Sequence, residues 1–341
     1  MRTTITSFFI LCLFALNNLF AQDPPPQSVG VARLTPEVRN AISKGLEYLS
    51  KDGLQRPDGS WGGDQNRVAE TSLALMAFML QGHVPGRGTY GIKMENAITY
   101  LLNHGRNQRG YLGTPRNHAG MYEHGLAVLA LSEAWGQSKN PRIKSTLRNA
   151  VDITLRAQNR EGGWRYSPEP RDADLSMTVM QIVALNSASE AGIAVPQTTI
   201  DKAAEYVISC QDLGSGGFKY TAGGGEPNFA RTAAGVMSLI MCGQRDRKAT
   251  QRGIAFLKAF PDSKFKSTNH FHYAHYYAVQ SMYQSGDADF RAWYPKISAE
   301  IVAKQNKNDG SWSGSYGQAY GTSLSILILG VPYRFLPIYQ R

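Results

Sequence analysis

One motif recurs along the chain, and it constrains the architecture more than any other feature. It reads Gln55-Arg-Pro-Asp-Gly-Ser-Trp61, Gln158-Asn-Arg-Glu-Gly-Gly-Trp164, Gln211-Asp-Leu-Gly-Ser-Gly-Gly-Phe218 and Gln305-Asn-Lys-Asn-Asp-Gly-Ser-Trp312. Each copy follows a stretch with helical apolar spacing, such as Ala41, Leu46 and Leu49, and precedes a second stretch of small and aliphatic residues, such as Thr71 to Phe78. Trp164 and Phe218 are 54 residues apart, whereas the flanking gaps of 103 and 94 residues are about twice that. Degenerate copies fill those gaps, at Asn107 to Tyr111 and at Phe260 to Lys266. Six helix–loop–helix units therefore run from about residue 36 to 331, with no change of composition between them. Units of this kind bury their faces only against neighbours, so they stack into a solenoid or close into a ring.

The loop chemistry explains its own residues. Glycine permits the left-handed turn that ends a helix, the glutamine amide satisfies open backbone groups, and the aromatic ring packs between hairpins. Gln55, Trp61, Gln158, Trp164, Gln211, Phe218, Gln305 and Trp312 are read as structural staples.

The Gln–Gly–Trp pattern resembles the QW motif of squalene and oxidosqualene cyclases. Nearly the whole chain is similar to the prenyltransferase/squalene-oxidase repeat superfamily. Periodicity alone stops at a helical repeat; the resemblance implies an all-α fold, an α6/α6 toroid with outer and inner helix rings around a cavity.

Aligning the six second helices puts Thr71, His124, Thr178, Thr232, His275 and Thr322 at one height. One turn earlier stand Arg67, Gly120, Asp174, Asn228, Phe271 and Gln318. Threonine near a helix start can bond its own backbone. The mixture of Arg, Asp, Asn and Gln one turn away would be costly in a packed core, so the expected cavity-facing set is Arg67, Thr71, His124, Thr178, Asn228, Thr232, His275, Gln318 and Thr322. Arg116, Arg171, Arg231, Tyr122, Tyr273, Tyr276 and Tyr320 lie nearby. Such a lining suits an extended isoprenoid-like ligand or an anionic glycan.

The resemblance also implies chemistries to test. Class II cyclases protonate an alkene or epoxide with an acid held in an Asp-x-Asp-Asp-Thr motif. Asp172-Ala-Asp174-Leu-Ser-Met-Thr178 looks similar, but in helix register the central acid position falls on Ser176 and the last Asp on Met177. Sliding the match makes Asp174 the candidate catalytic acid; a helix N-cap is its other role. Cyclases of this type have two toroid-like domains, and this chain has room for one. Protein prenyltransferases hold zinc through Asp, Cys and His. Here Cys210 and Cys242 fall at opposite helix ends, and His270, His272 and His275 cluster three units from His124, so no metal site and no cofactor are expected. No phosphate-binding Gly loop or Gly-x-Ser-x-Gly turn is present.

Arg2, the apolar run Phe8 to Leu16 and Ala21 read as a signal peptide over residues 1–21, too short in its apolar part to span a bilayer. A Pro-rich linker follows over 22–35, then the toroid over 36–331 and a tail over 332–341. An exported protein with 36 Lys+Arg against 26 Asp+Glu suits anionic partners, and its scattered charge gives no nucleic-acid motif. Three readings stay open. The first is a cavity that binds an extended ligand without cyclase chemistry. The second is a terpene cyclase-like or polysaccharide-cleaving enzyme using Asp174, Glu70 or Glu123. The third is an envelope scaffold working through its outer surface with a partner protein.

Overall fold

The computed structural model describes residues 34–333, apart from 116 and 139, together with residue 336. The expected signal peptide and most of the Pro-rich segment and of the tail lie outside the described residues, as does Arg116.

The first strand-free hairpin shows how the unit is built. Thr35 caps α1 (Pro36–Leu49) by accepting the Val38 amide, and Pro36 fits the first turn, where its missing N–H costs nothing. Helix α1 buries only one stripe, including Val38, Ala41, Ile42, Leu46 and Leu49. The next helix, α2 (Arg67–Met79), is apolar nearly all round and is buried from Leu73 to Met79. A one-sided helix belongs outside, and an all-round apolar one belongs inside.

The same alternation continues. The other outer helices are α3 (Gly91–Asn107), α5 (Arg142–Ala157), α7 (Gln197–Ser209), α9 (Lys248–Lys258) and α12 (Asp287–Ala303). The other inner helices are α4 (Gly120–Trp135), α6 (Leu175–Glu190), α8 (Phe229–Met241), α11 (Phe271–Ser285) and α13 (Gln318–Gly330). A single short turn of helix, α10 (Asp262–Phe265), sits in the fifth loop. Each inner helix packs on the next, and α13 packs back on α2, closing a six-membered ring. Helix α1 seals the seam by packing on α13 and α12.

The recurring glutamines tie one unit to the next. Gln55, Gln158, Gln211 and Gln305 each donate one amide to the carbonyl of their own loop glycine and to a carbonyl in the following outer helix: Lys93, Thr199, Ala249 and Ala41 respectively. The last of these bonds joins the sixth unit to the first. Trp61, Trp164 and Trp312 are buried, and each indole N–H donates to a carbonyl near the end of its own outer helix, at 2.7 to 2.9 Å. Gly162 adopts φ 99°, and a Cβ there would stand 2.2 Å from the Lys202 carbonyl oxygen, so the loop meets its neighbour only with glycine at that point. Among the described residues no helix is long and apolar enough to cross a membrane.

Candidate functional site

The six aligned Thr and His residues do share a height, but they face the loops rather than the axis. Thr71, Thr178, Thr232 and Thr322 accept the backbone amides of Trp61, Trp164, Phe218 and Trp312 at 2.9 to 3.1 Å. Thr71 and Thr232 also donate to the carbonyls of Arg67 and Asn228 one turn back. His124 does the same work in the second unit. Its Nδ1 accepts the Leu112 amide at 3.0 Å, so Nε2–H donates to the Ala150 carbonyl and to Thr154 at 3.1 Å. In the fifth unit His275 Nε2 meets the Phe265 carbonyl at 3.1 Å. All six are fully buried, and burial pulls His124 and His275 down to about 4, so both rings are neutral. The degenerate second copy is shifted by one residue from the expectation: Leu112, not Tyr111, holds the tryptophan's place, and Tyr111 stacks on His124 instead.

The cavity is lined two residues earlier. Ala69, Tyr122, Ser176, Ala230, Tyr273 and Tyr320, one from each inner helix, surround a space of about 430 Å³. The physical reason is helical geometry. At 100° per residue, a step of two turns the side chain by about 200°, so the threonines point away from whatever their i−2 neighbours face. Arg67, Asp174, Asn228 and Gln318 avoid the full desolvation cost because each finds polar partners at a helix start, although Arg67 Nε has none. Arg67 pairs with Asp58 at 3.2 Å and with Asp64. Gln318 is exposed and accepts from Tyr48. Asn228 caps α8 through the Arg231 amide, and it alone of the nine expected residues also lines the cavity.

Asp174 does not reach the cavity. One carboxylate oxygen caps α6 by accepting the Met177 amide at 2.9 Å, and the other accepts from Arg165 at 3.2 Å. Burial pushes its carboxyl up against the opposing pull of that amide and guanidinium. The side chain two residues on, Ser176, faces the axis instead.

Glu70 and Glu123 are the carboxyls the cavity does contain. They stand immediately before Thr71 and His124, at equivalent positions on the adjacent helices α2 and α4. Glu70 is 2% exposed, and burial pushes it up to about 7, although the amides of Gly63 and Tyr320 favour its ionised form. Gly62 accommodates it: a Cβ there would lie 2.4 Å from the Glu70 carboxyl carbon. Glu123 is fully buried and raised by that burial; its Oε2 accepts the Thr114 amide at 2.7 Å, while Oε1, near Asn117, has no hydrogen-bond partner.

Rings and one cation complete the wall. Tyr166 and Tyr220 share a hydroxyl hydrogen bond of 2.8 Å, and His118 stacks on Tyr166 at 4.4 Å. Arg231 lies over the Tyr220 ring at 5.3 Å. Tyr316, 54% exposed, meets Tyr320 edge-on at the rim beside the exposed His270. In ring order α8 stands opposite α2, so Arg231 and Glu70 occupy facing walls. The cavity opens at the inner helices' N-terminal ends, where six helix dipoles add partial positive charge.

The histidine cluster disperses: His270 lines the rim, His272 meets Ser325 at 3.2 Å, and His275 serves the loop clamp. No group of three metal-ligating side chains occurs among the described residues, so a prenyltransferase-type zinc set does not fit here. Cys210 and Cys242 are free and buried. Tyr276 is buried outside the lining, and Arg171 is exposed.

The model of the prenyltransferase alpha-alpha toroid domain matches residues 137–316. The chain belongs to that family. No curated protein sequence matches it. Among solved structures, an inactive variant of the alpha-1,6-mannanase GH76A of a Salegentibacter species, in complex with alpha-1,6-mannotetrose, is similar with a TM-score of 0.65. The identity is 10%, over 87% of this toroid chain and 99% of that chain. Cellobiose 2-epimerase from Bacillus thermoamylovorans matches at 0.59, with 12% identity over 86% and 98% of the two chains. The type II terpene cyclase MstE from Scytonema matches at 0.58, with 15% identity over 89% and 100%. A toroid of this size thus spans a whole type II cyclase, which removes the premise that such enzymes need two toroids. The mannanase variant is altered at two consecutive aspartates, whereas the present sequence contains no two consecutive acidic residues.

Proposed function

We propose that this exported toroid binds a carbohydrate chain across the mouth of its cavity and acts on it there, with Glu70 as proton donor and Glu123 as the carboxylate beside it. The observation that carries the reading is the placement of two buried carboxyls, at one register on adjacent helices, within a wall of tyrosine and histidine rings. Sugar rings offer an apolar face to aromatics and hydroxyls to polar side chains, and both kinds of group alternate here. Glycosidic chemistry needs an acid that keeps its proton near neutrality beside a second carboxylate. Glu70, at about 7, is suited to the first role. Arg231 and the helix N-termini supply charge for an acidic sugar on the opposite wall.

An isoprenoid ligand fits less well. A cyclase needs its acid where this chain places Ser176, and a serine hydroxyl is far too weak an acid for alkene protonation. The carbohydrate neighbours support the fold's capacity for sugar ligands and no more.

The test is calorimetric titration with neutral and uronic-acid oligosaccharides and with a polyprenyl phosphate, followed by product analysis. A saccharide should bind and be converted, and Glu70→Gln should retain binding while turnover falls by about 10²-fold or more. Binding of the polyprenyl phosphate alone, or unchanged turnover in Glu70→Gln, contradicts the proposal. Capture of an envelope protein that survives every cavity substitution supports the scaffold reading instead.

A further inference from the structure

Six junctions link successive outer helices, and among the described residues one of them has neither of the two devices that close the other five. Four are closed by the glutamine amides described above. The junction of α9 with α12 carries ion pairs in their place, Lys296 with Asp262 at 3.0 Å and Lys266 with Glu300 at 3.2 Å. Between α3 and α5 neither device is present. Equivalence is set by the clamp: Leu112 donates to His124 as Trp164 does to Thr178. Gly110, at φ 98°, precedes Leu112 as Gly162, at φ 99°, precedes Trp164. Counting back four residues from each glycine sets Arg106 against Gln158.

Arginine therefore stands where the staple belongs, and a pocket of about 340 Å³ lies between α3 and α5. Arg106, Arg109 and Arg142 line it, with Ser145, Thr146 and Asn149 on the α5 side. No carboxylate lines it, and among the described residues none of the three guanidinium groups has an ion pair. Arg142 donates to Asn103 at 3.0 Å, which fixes its planar group at the pocket edge. Arg109 adopts φ 55°, a left-handed conformation uncommon for a residue other than glycine. Three like charges gathered without counter-charge repel one another, and an anion between them relieves that repulsion. Guanidinium forks match the oxygens of phosphate and sulfate, and the hydroxyl and amide groups beside them add hydrogen bonds.

We propose that this pocket binds an oxyanion, the phosphate or sulfate group of a larger ligand, on Arg106, Arg109 and Arg142. The site is on the outer ring, and its occupancy does not depend on what the central cavity binds. A free phosphate ester, a sulfated saccharide and a phospholipid headgroup all present the required group.

The experiment uses the protein from residue 22 onward, with inorganic phosphate and inorganic sulfate as probes, followed by ³¹P line broadening and thermal unfolding against chloride at matched ionic strength. Phosphate or sulfate should raise the unfolding midpoint where chloride does not. The double variant Arg106→Gln/Arg142→Gln should weaken that binding about tenfold or more, with an unchanged circular dichroism spectrum. Glu70→Gln should leave the binding intact. Co-sedimentation with phosphatidylglycerol vesicles, or retention on a sulfated saccharide, then assigns the source if the double variant loses it. An equal effect of chloride, wild-type binding by the double variant, or no binding of either probe overturns the proposal. Arg106→Gln alone is a second check. It should restore the missing amide bond to α5, so this variant should weaken anion binding, though less than the double variant, while its unfolding midpoint stays level or rises.

Discussion

The two sides of each inner helix do opposite jobs within two residues of sequence. Thr178 faces outward and holds the Trp164 amide, whereas Ser176 faces inward and lines the cavity. The same contrast separates Thr71 from Ala69 and Thr232 from Ala230. On the outward side, the four threonine hydroxyls and His124 are dry and paired, each accepting the same loop amide. On the inward side the residue type changes around the ring, with Ala69 and Ala230, Ser176, and Tyr122, Tyr273 and Tyr320, because these positions serve a site rather than a repeat. Uniformity marks the scaffold here, and variety marks the candidate site.

Substitutions on the two sides should separate stability from binding. The largest effect is expected at the loop tryptophans. Trp164→Ala should cost about 3–5 kcal/mol in denaturant unfolding, since it empties a buried site and orphans the Thr154 carbonyl. A loss under 1 kcal/mol would break the clamp interpretation. Thr178→Val keeps the shape but strands a buried amide, and should cost about 1–3 kcal/mol without changing affinity for a cavity ligand. An affinity change larger than the stability change would move Thr178 back among the binding residues.

Glu70→Gln should act with the opposite sign, and only at high pH. The folded carboxyl sits at about 7 against an ordinary 4.5, so its contribution is present below pH 4.5 and is lost as pH rises through 7. The neutral substitute should therefore stabilise the protein by roughly 1–3 kcal/mol at pH 8.5 and by little at pH 4. A pH-independent effect would show that Glu70 is ionised throughout. His124, His272 and His275 run the other way: each is drawn down to about 4, so stability should fall as pH drops from 6.5 towards 4. The smallest stability effect is expected at the rim. Tyr316→Ala should shift unfolding by under about 0.5 kcal/mol while weakening saccharide binding measurably.

The architecture was legible because repetition is a sequence property. Four glutamine–glycine–aromatic copies located the loops, and their spacing located the two degenerate units. The site was less legible, and the reason lies in the same repetition. Thr71, Thr178, Thr232 and Thr322 stand out in an alignment because their four units need the same amide acceptor, and in sequence alone that signal reads as a binding ring. Tyr122, Tyr273 and Tyr320 were near at hand, but a phase error of two residues placed them beside the cavity rather than in it. Tyr166, Tyr220 and His118 come from loops, where helical periodicity carries no information. Glu70 and Glu123 stand in the sequence among the candidate acids of a polysaccharide-cleaving enzyme, and one rule sets them above Asp174: an acidic residue next to a clamp residue, in an otherwise apolar helix, has to face something other than the core.

Thiol labelling tests the two-residue phase most directly and needs no ligand. In the protein from residue 22 onward both cysteines are quiet, because burial raises Cys210 to about 11 and Cys242 to about 12. Ser176→Cys should react with a small water-soluble maleimide at a rate near that of an accessible thiol, and Thr178→Cys should stay protected until the protein unfolds. Rapid labelling of Thr178→Cys with protection of Ser176→Cys would reverse the orientation of α6 and contradict the cavity described here.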